Sequence, residues 1–122
     1  MDSKDLIEMA AKAADDLKAK NIKLIQIDMV SSIADWIMIG EGLSDVQVRS
    51  IINAVEDKVL QKANILPLRK EGINEGKWAL LDYGDIIINV FQPKERNFYE
   101  LESFWSNGKT YNYSNELYTL QK

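Results

Sequence analysis

Segments with helical spacing alternate along the chain with segments that have the composition of strands, and this alternation limits the possible folds. Apolar residues recurring every three or four positions predict helices over residues 5–18 and 44–62, and Pro93 suits the first turn of a third helix. Apolar runs predict strands over residues 24–29, 34–39, 66–69, 78–81 and 86–91. The resulting order, α-β-β-α-β-β-β-α, indicates a single α/β domain with a mixed β-sheet flanked by helices.

The ends of the predicted helices are marked by capping and turn residues. Ser3 is the expected N-cap of the first helix, and Ser44 opens a capping box of the form Ser-x-x-Gln at the second. One face of the third helix is expected to carry Phe98, Leu101, Phe104 and Trp105. Asn107–Gly108 is expected to end that helix. We therefore assign residues 1–106 to the domain and residues 107–122 to a polar C-terminal tail.

The composition removes several classes of chemistry. The chain has no cysteine and no histidine, which excludes disulfides, thiolate sites, the commonest general base and the commonest transition-metal ligand. Its net charge of -4 and pI of about 4.8 suit a basic protein partner better than a phosphate backbone. No run approaches the roughly 18–20 apolar residues of a membrane span. The N-terminus lacks the pattern of a signal peptide, so a cytoplasmic location is expected.

Two pairs of carboxylates have the residue types of a catalytic or Mg²⁺ site. These pairs are Asp28 with Asp35 and Asp82 with Asp85, and carboxylate pairs can hold Mg²⁺ or share acid and base roles. The second pair also fits a plain hairpin turn, which we favour because Asp and Gly are turn residues. Residues 40–44, Gly-Glu-Gly-Leu-Ser, lie where a phosphate-binding loop would lie. They lack the motif's lysine and third glycine, so a tight strand-to-helix turn is predicted there.

Trp78 lies in the first strand of the predicted hairpin, and periodicity leaves its role open. Residues 78 and 80 face one side of the sheet, and residues 79 and 81 face the other. A tryptophan in a strand is either a core residue or an interface anchor. The middle of the chain is also enriched in positive charge, at Lys58, Lys62, Arg69, Lys70 and Lys77. We favour a solvated surface for these residues over a contact with RNA.

Several segments of the chain together resemble the ribosomal silencing factor (Iojap-like) family. They are residues 28–35 before the second strand, residues 44–48 at the start of the long helix, and residues 71–72, 76–91 and 96–105. The last group carries Gly-Lys-Trp-Ala-Leu-Leu-Asp-Tyr-Gly-Asp and, further on, Arg-x-Phe-Tyr-x-Leu-Glu-x-x-Trp. The order and spacing match from the first helix to Trp105, and only the expected tail falls outside the resemblance.

The resemblance implies a function that composition cannot show. Members of this family bind the large ribosomal subunit through its fourteenth protein, at the face where the small subunit docks. They sterically block subunit joining and so repress translation when nutrients are scarce. Family membership also implies a nucleotidyltransferase-like fold with no demonstrated transfer reaction. We therefore expect a binding protein that is not an enzyme, needs no cofactor, avoids membranes and binds little nucleic acid directly.

Two other interpretations stay open at this point. One is a Mg²⁺-dependent nucleotidyl or phosphoryl transferase of the same fold, which would use the carboxylates around residues 40–44. The other is a homodimer off the ribosome, in which an exposed Trp78 face pairs with itself.

The resemblance also implies which residues contact the partner. Trp78 and Leu81 would supply apolar contact, Asp82 would pair with a basic side chain, and Tyr83 would add area and a hydroxyl group. Three further residues of the same segments are expected to contribute, namely Lys77, Asp85 and Tyr99.

The chain departs from the family pattern at a few positions. Asn89 stands where the family commonly has histidine, so no histidine-dependent role is possible in this chain. Trp36-Ile37 replaces Tyr-Phe and Glu41 replaces a serine, changes expected in the core or in a turn.

Overall fold

A computed structural model describes residues 1–114 and 118–120 of the chain. Within these residues the helices are Ser3–Asp16 (α1), Asp45–Ala63 (α2), Pro93–Tyr99 (α3) and Leu101–Phe104 (α4). The strands are Lys20–Gln26 (β1), Trp36–Glu41 (β2), Arg69–Glu71 (β3), Trp78–Asp82 (β4), Ile86–Phe91 (β5), Lys109–Tyr113 (β6) and Tyr118–Leu120 (β7). None of the helices in this part of the chain has the length and apolar character needed to cross a membrane.

The described strands form one mixed sheet in the order β3-β4-β5-β2-β1-β6-β7. β2 and β5 pair in parallel, and the other neighbouring strands pair antiparallel. Parallel neighbours require a long crossover connection, and the segment that carries α2, β3 and β4 supplies it. The expected α/β domain with a mixed sheet is therefore confirmed.

The two faces of the sheet are covered unequally. On the helix face, α1 and α2 pack against the sheet and bury a large core that includes Ile7, Ala10, Leu24, Met38, Ile52, Val55, Leu81 and Ile88. On the second face, the short α3 and α4 cover a smaller cluster that includes Ile25, Ile37, Ile39, Phe91 and Trp105. Because apolar side chains are buried on both faces, β5 lacks the alternation typical of a half-exposed strand.

The helix caps lie within one residue of their expected positions. Ser3 is the first residue of α1, and the N-cap is Asp2, whose carboxylate accepts a backbone hydrogen bond from the first turn at 2.9 Å. At α2, the Ser44 hydroxyl accepts from the Gln47 backbone N–H at 3.1 Å, as predicted. The Gln47 side chain accepts from the backbone N–H of Leu43 at 2.7 Å. The capping box therefore reaches one residue further back than its standard form.

The expected apolar face of the third helix is wrong. Glu100 adopts a left-handed conformation (φ 48°) and separates α3 from α4. This break changes the direction of the side chains that follow it, so helical spacing no longer applies across it. Phe98 and Phe104 are 77% and 72% exposed, while Trp105 is buried.

Residues 109–113 belong to the segment expected to be a polar C-terminal tail. These residues form β6, which pairs antiparallel with β1 and extends the sheet past residue 106. Tyr111 lies against Trp36 with ring centroids 5.9 Å apart. Alternating Thr and Tyr suit a strand, and this preference outweighs the polarity of the segment. The rest of the expected tail, residues 115–117 and 121–122, lies outside the described residues.

Candidate functional site

The β4–β5 hairpin presents a half-covered surface on the second face of the sheet. Its cross-strand pairs there are Trp78 with Phe91, Leu80 with Asn89 and Asp82 with Ile87. Phe91 and Asn89 are buried, whereas the other four side chains are only partly buried. Tyr99, at the end of α3, borders them and is 52% exposed. We call Trp78, Leu80, Asp82, Ile87 and Tyr99 the hairpin face.

Trp78 is both anchored in the core and open to the surface. Its ring stacks on Phe91 with centroids 4.8 Å apart and planes at 24°, and Tyr99 packs against it at the same centroid distance. Its indole N–H donates a hydrogen bond of 3.0 Å to the side-chain oxygen of Asn89. Offset aromatic contacts of this kind stabilise the ring position beyond simple burial. Trp78 therefore belongs to the edge of the core and keeps part of its ring exposed to solvent.

Asn89 is a site residue that our sequence reasoning did not assign. It is 2% exposed. Its amide nitrogen donates a hydrogen bond to the Met38 carbonyl at 3.3 Å, and its amide oxygen accepts the hydrogen bond from the Trp78 indole N–H. A buried amide must satisfy its polar atoms, and these two contacts do so while orienting the indole. The sequence feature that could have indicated this role is a single polar residue inside the apolar run of β5, the strand that pairs with β4.

Asp82 is partly engaged by its own hairpin. One carboxylate oxygen accepts the backbone N–H of Gly84 at 2.8 Å, and the other lies 3.5 Å from the Arg69 guanidinium. Arg69 also pairs with Glu71 at 2.8 Å. Because exposed ion pairs contribute little, the contact between Arg69 and Asp82 adds little to the stability of the hairpin.

Leu81 and Tyr83, two of the expected contact residues, lie on the helix face of the sheet, where little of their surface is open to a partner. Leu81 is fully buried, and Tyr83 is 8% exposed. The Tyr83 hydroxyl has no hydrogen-bond partner within the described chain. Burial, together with the negative charge of Glu56, raises the pKa of Tyr83. Strand alternation places Leu80, not Leu81, beside Trp78.

The remaining expected contact residues lie at the two ends of the hairpin. Lys77 is exposed at the start of β4, and its carbonyl accepts the Gln92 backbone N–H at 2.9 Å. Asp85 is exposed in the turn, where its carbonyl accepts the Asp35 backbone N–H at 2.8 Å. Lys77 therefore lies near Tyr99, and Asp85 lies at the opposite end of the hairpin face.

A buried arginine holds α3 beside the hairpin. Arg96 is 6% exposed and donates to the Glu102 carboxylate at 2.7 Å, the Glu41 carboxylate at 2.9 Å and the Asn21 carbonyl at 2.7 Å. Lys23 also pairs with Glu102, at 3.0 Å. Burial favours the neutral acid, but the hydrogen bonds from Arg96 and Lys23 outweigh it and hold the pKa of Glu102 below its usual range. These contacts fix the helix that carries Tyr99.

The carboxylate pairs do not assemble into a metal site in the part of the chain that is described. No group of three or more acidic side chains there is arranged to hold a metal ion. Residues 83–85 form the turn of the β4–β5 hairpin, as favoured from the sequence. The loop of residues 40–44 joins β2 to α2. Within it, the backbone N–H of Gly42 donates a hydrogen bond to the backbone carbonyl of Phe91 at 2.9 Å.

Comparisons with known proteins agree on one family. The family model described as ribosomal silencing factor during starvation matches residues 1–121. The ribosomal silencing factor RsfS of Bacillus subtilis is 35% identical over 105 residues, covering 86% of this chain and 88% of the relative. The protein of the same name from Halalkalibacterium halodurans is 36% identical over 110 residues, covering 90% and 93%.

A solved structure shows that the fold is shared as well. The crystal structure of a Chromobacterium violaceum protein matches with a TM-score of 0.83 at 29% identity, covering 87% of this chain and 88% of that one. The chain therefore belongs to the ribosomal silencing factor (RsfS) family.

Proposed function

We propose that this protein silences ribosomes by binding the large ribosomal subunit through the hairpin face, which blocks joining of the small subunit. The observation that carries the proposal is the half-covered cluster of Trp78, Leu80 and Ile87 with the acidic Asp82 at its side. Aromatic and aliphatic anchors beside a charged rim are the usual anatomy of a protein interface. The names of the relatives supply the ribosome as the partner.

The partner surface that best fits this face is a ribosomal protein with apolar and basic side chains. We propose the fourteenth protein of the large subunit, as the family resemblance implies. The apolar residues would be covered, and a basic group would replace Arg69 beside Asp82. Steric blocking requires only that the protein occupy the face of the large subunit where the small subunit docks. No catalytic residue is needed, so the proposed role is that of a binding protein and not of an enzyme.

The test uses one substitution on the hairpin face and one matched control. Leu80→Lys places a charge in the apolar cluster, and Leu60→Lys makes the same change at an exposed position of α2. We expect Leu80→Lys to weaken co-sedimentation with purified large subunits on the order of tenfold or more, and Leu60→Lys to have little effect. Leu80 is preferred to Trp78 because the Trp78 ring also belongs to the core.

A melting curve on each preparation separates loss of binding from loss of folding. Wild-type protein should also reduce the formation of joined ribosomes from mixed subunits in a sucrose gradient. The proposal is wrong if wild-type protein does not co-sediment with large subunits, or if folded Leu80→Lys binds as well as wild type. A concentration-dependent dimer that Leu80→Lys abolishes would instead support pairing of the face with itself.

A further inference from the structure

An open groove of about 770 Å³ lies next to the hairpin face, between α3 and the turn that precedes β4. Its aromatic wall is formed by Trp78, Tyr99 and Phe98. Tyr99 contacts Trp78 on one side and Phe98 on the other, where the two rings meet edge to face at 5.0 Å. A continuous row of aromatic rings therefore leads from the core to solvent, ending at Phe98, which is 77% exposed.

Four charged side chains surround this aromatic wall. They are Glu75, Lys77, Lys94 and Glu95, and none of them makes an ion pair or a side-chain hydrogen bond with the side chains described, those of residues 1–114. Their charges cancel, so the groove has no net attraction for a phosphate. The whole chain carries -4, which opposes an RNA occupant further.

We propose that the groove accepts an arginine side chain of a protein partner. The planar guanidinium would lie over the rings of Tyr99 and Phe98, and Glu75 or Glu95 would accept its hydrogen bonds. Arginine combines an apolar stem, a face that stacks on aromatic rings and a fork of donors for carboxylates. Lys77 and Lys94 have long flexible stems, which let their ammonium groups move toward solvent.

The groove extends the proposed ribosome-binding surface beyond the hairpin face, and it would include Phe98 in that surface. That the arginine belongs to a ribosomal protein rests on the proposed function, whereas the chemistry of the groove does not. The experiment therefore starts with a probe that needs no ribosome. It is the peptide acetyl-Gly-Arg-Gly-amide, followed through the indole N–H resonance of Trp78, with the citrulline peptide as a neutral control of similar shape.

We expect a saturable shift of the Trp78 resonance with the arginine peptide, and binding weaker by about threefold to thirtyfold when citrulline replaces arginine or when Phe98 is changed to Ala. Adenosine monophosphate, the probe for an RNA occupant, should bind more weakly than the arginine peptide. The inference is overturned if the arginine peptide causes no saturable shift, or if adenosine monophosphate binds better.

Two matched double variants test the charges of the groove. Glu75→Gln with Glu95→Gln should weaken the arginine peptide, and Lys77→Gln with Lys94→Gln should leave it unchanged or strengthen it. The opposite order would contradict the inference. Co-sedimentation of the same variants with large subunits then tests whether the groove takes part in ribosome binding. Failure of wild type to co-sediment would refute the proposed function, while the peptide titration would still decide the chemistry of the groove.

Discussion

Single side chains on the hairpin decide which surface is available to a partner. Trp78 is held by Asn89 and Phe91, so its exposed edge has one orientation. Asn89 is an amide, and an amide does not change its charge with pH. The orientation of Trp78 is therefore independent of protonation at this position.

Tyr83→Phe is expected to keep or raise stability, by up to about 1–3 kcal/mol. The Tyr83 hydroxyl is buried without a hydrogen-bond partner in the described chain, and a buried unsatisfied group carries a desolvation cost. Urea denaturation of wild type and Tyr83→Phe would measure the difference. Co-sedimentation with large subunits should not change, because Tyr83 faces α2. A clear loss of stability would mean that the hydroxyl has a partner, such as a buried water.

The helix α3 is held largely by polar contacts, since its buried residue is Arg96. Few apolar side chains hold this short helix, and the buried Arg96 joins it to β2 through Glu41 and to α4 through Glu102. Removing one partner of a buried charged pair leaves the other charge buried and unpaired. This usually costs more stability than replacing both partners with apolar residues. The groove and Tyr99 therefore depend on this network.

Acid should loosen α3 through Glu102. The pKa of Glu102 is below its usual range in the folded protein, so its stabilising contribution is complete above the unfolded pKa, about 4.3, and is lost as the pH falls through the lower folded pKa. Wild-type protein should therefore lose more stability than Glu102→Gln between about pH 6 and pH 3. The measurement is the urea midpoint across that range. Asp57→Asn, at an exposed position of α2, should keep the wild-type pH dependence. Identical curves for wild type and Glu102→Gln would contradict the prediction.

For the whole molecule, net charge sets how it approaches a partner. The chain carries -4, and attraction to a basic surface speeds association most at low ionic strength. We expect the association rate with large subunits to fall as salt is raised from about 0.05 to 0.3 M, while dissociation changes less. Stopped-flow or surface-based kinetics at the two salt concentrations would measure this. Equal association rates would show that charge does not guide the approach.

The element order and several local features were readable from the sequence because they depend on near neighbours. The Ser44 cap, the helix α2 that follows it and the β4–β5 hairpin lie where local patterns predict them. The boundaries were less accurate, since β1 begins at Lys20 where residue 24 was expected. The strand β6 was missed because it pairs with β1, which is distant in the chain. The break at Glu100 was missed because the helical spacing of the sequence continues across it.

The amino-acid sequence was enough to establish the α/β class, the absence of thiol and imidazole chemistry, the family, and the residues that alternate along β4. Which side of β4 stays open depends instead on how the helices pack against the sheet. The large helices α1 and α2 pack on the face that carries Leu81 and Tyr83, while the short α3 and α4 leave the face of Leu80 half covered. Alternation is a local property of a strand, but burial depends on where helices distant in the chain pack. Periodicity therefore paired the right residues with each other and could not show which pair a partner can reach.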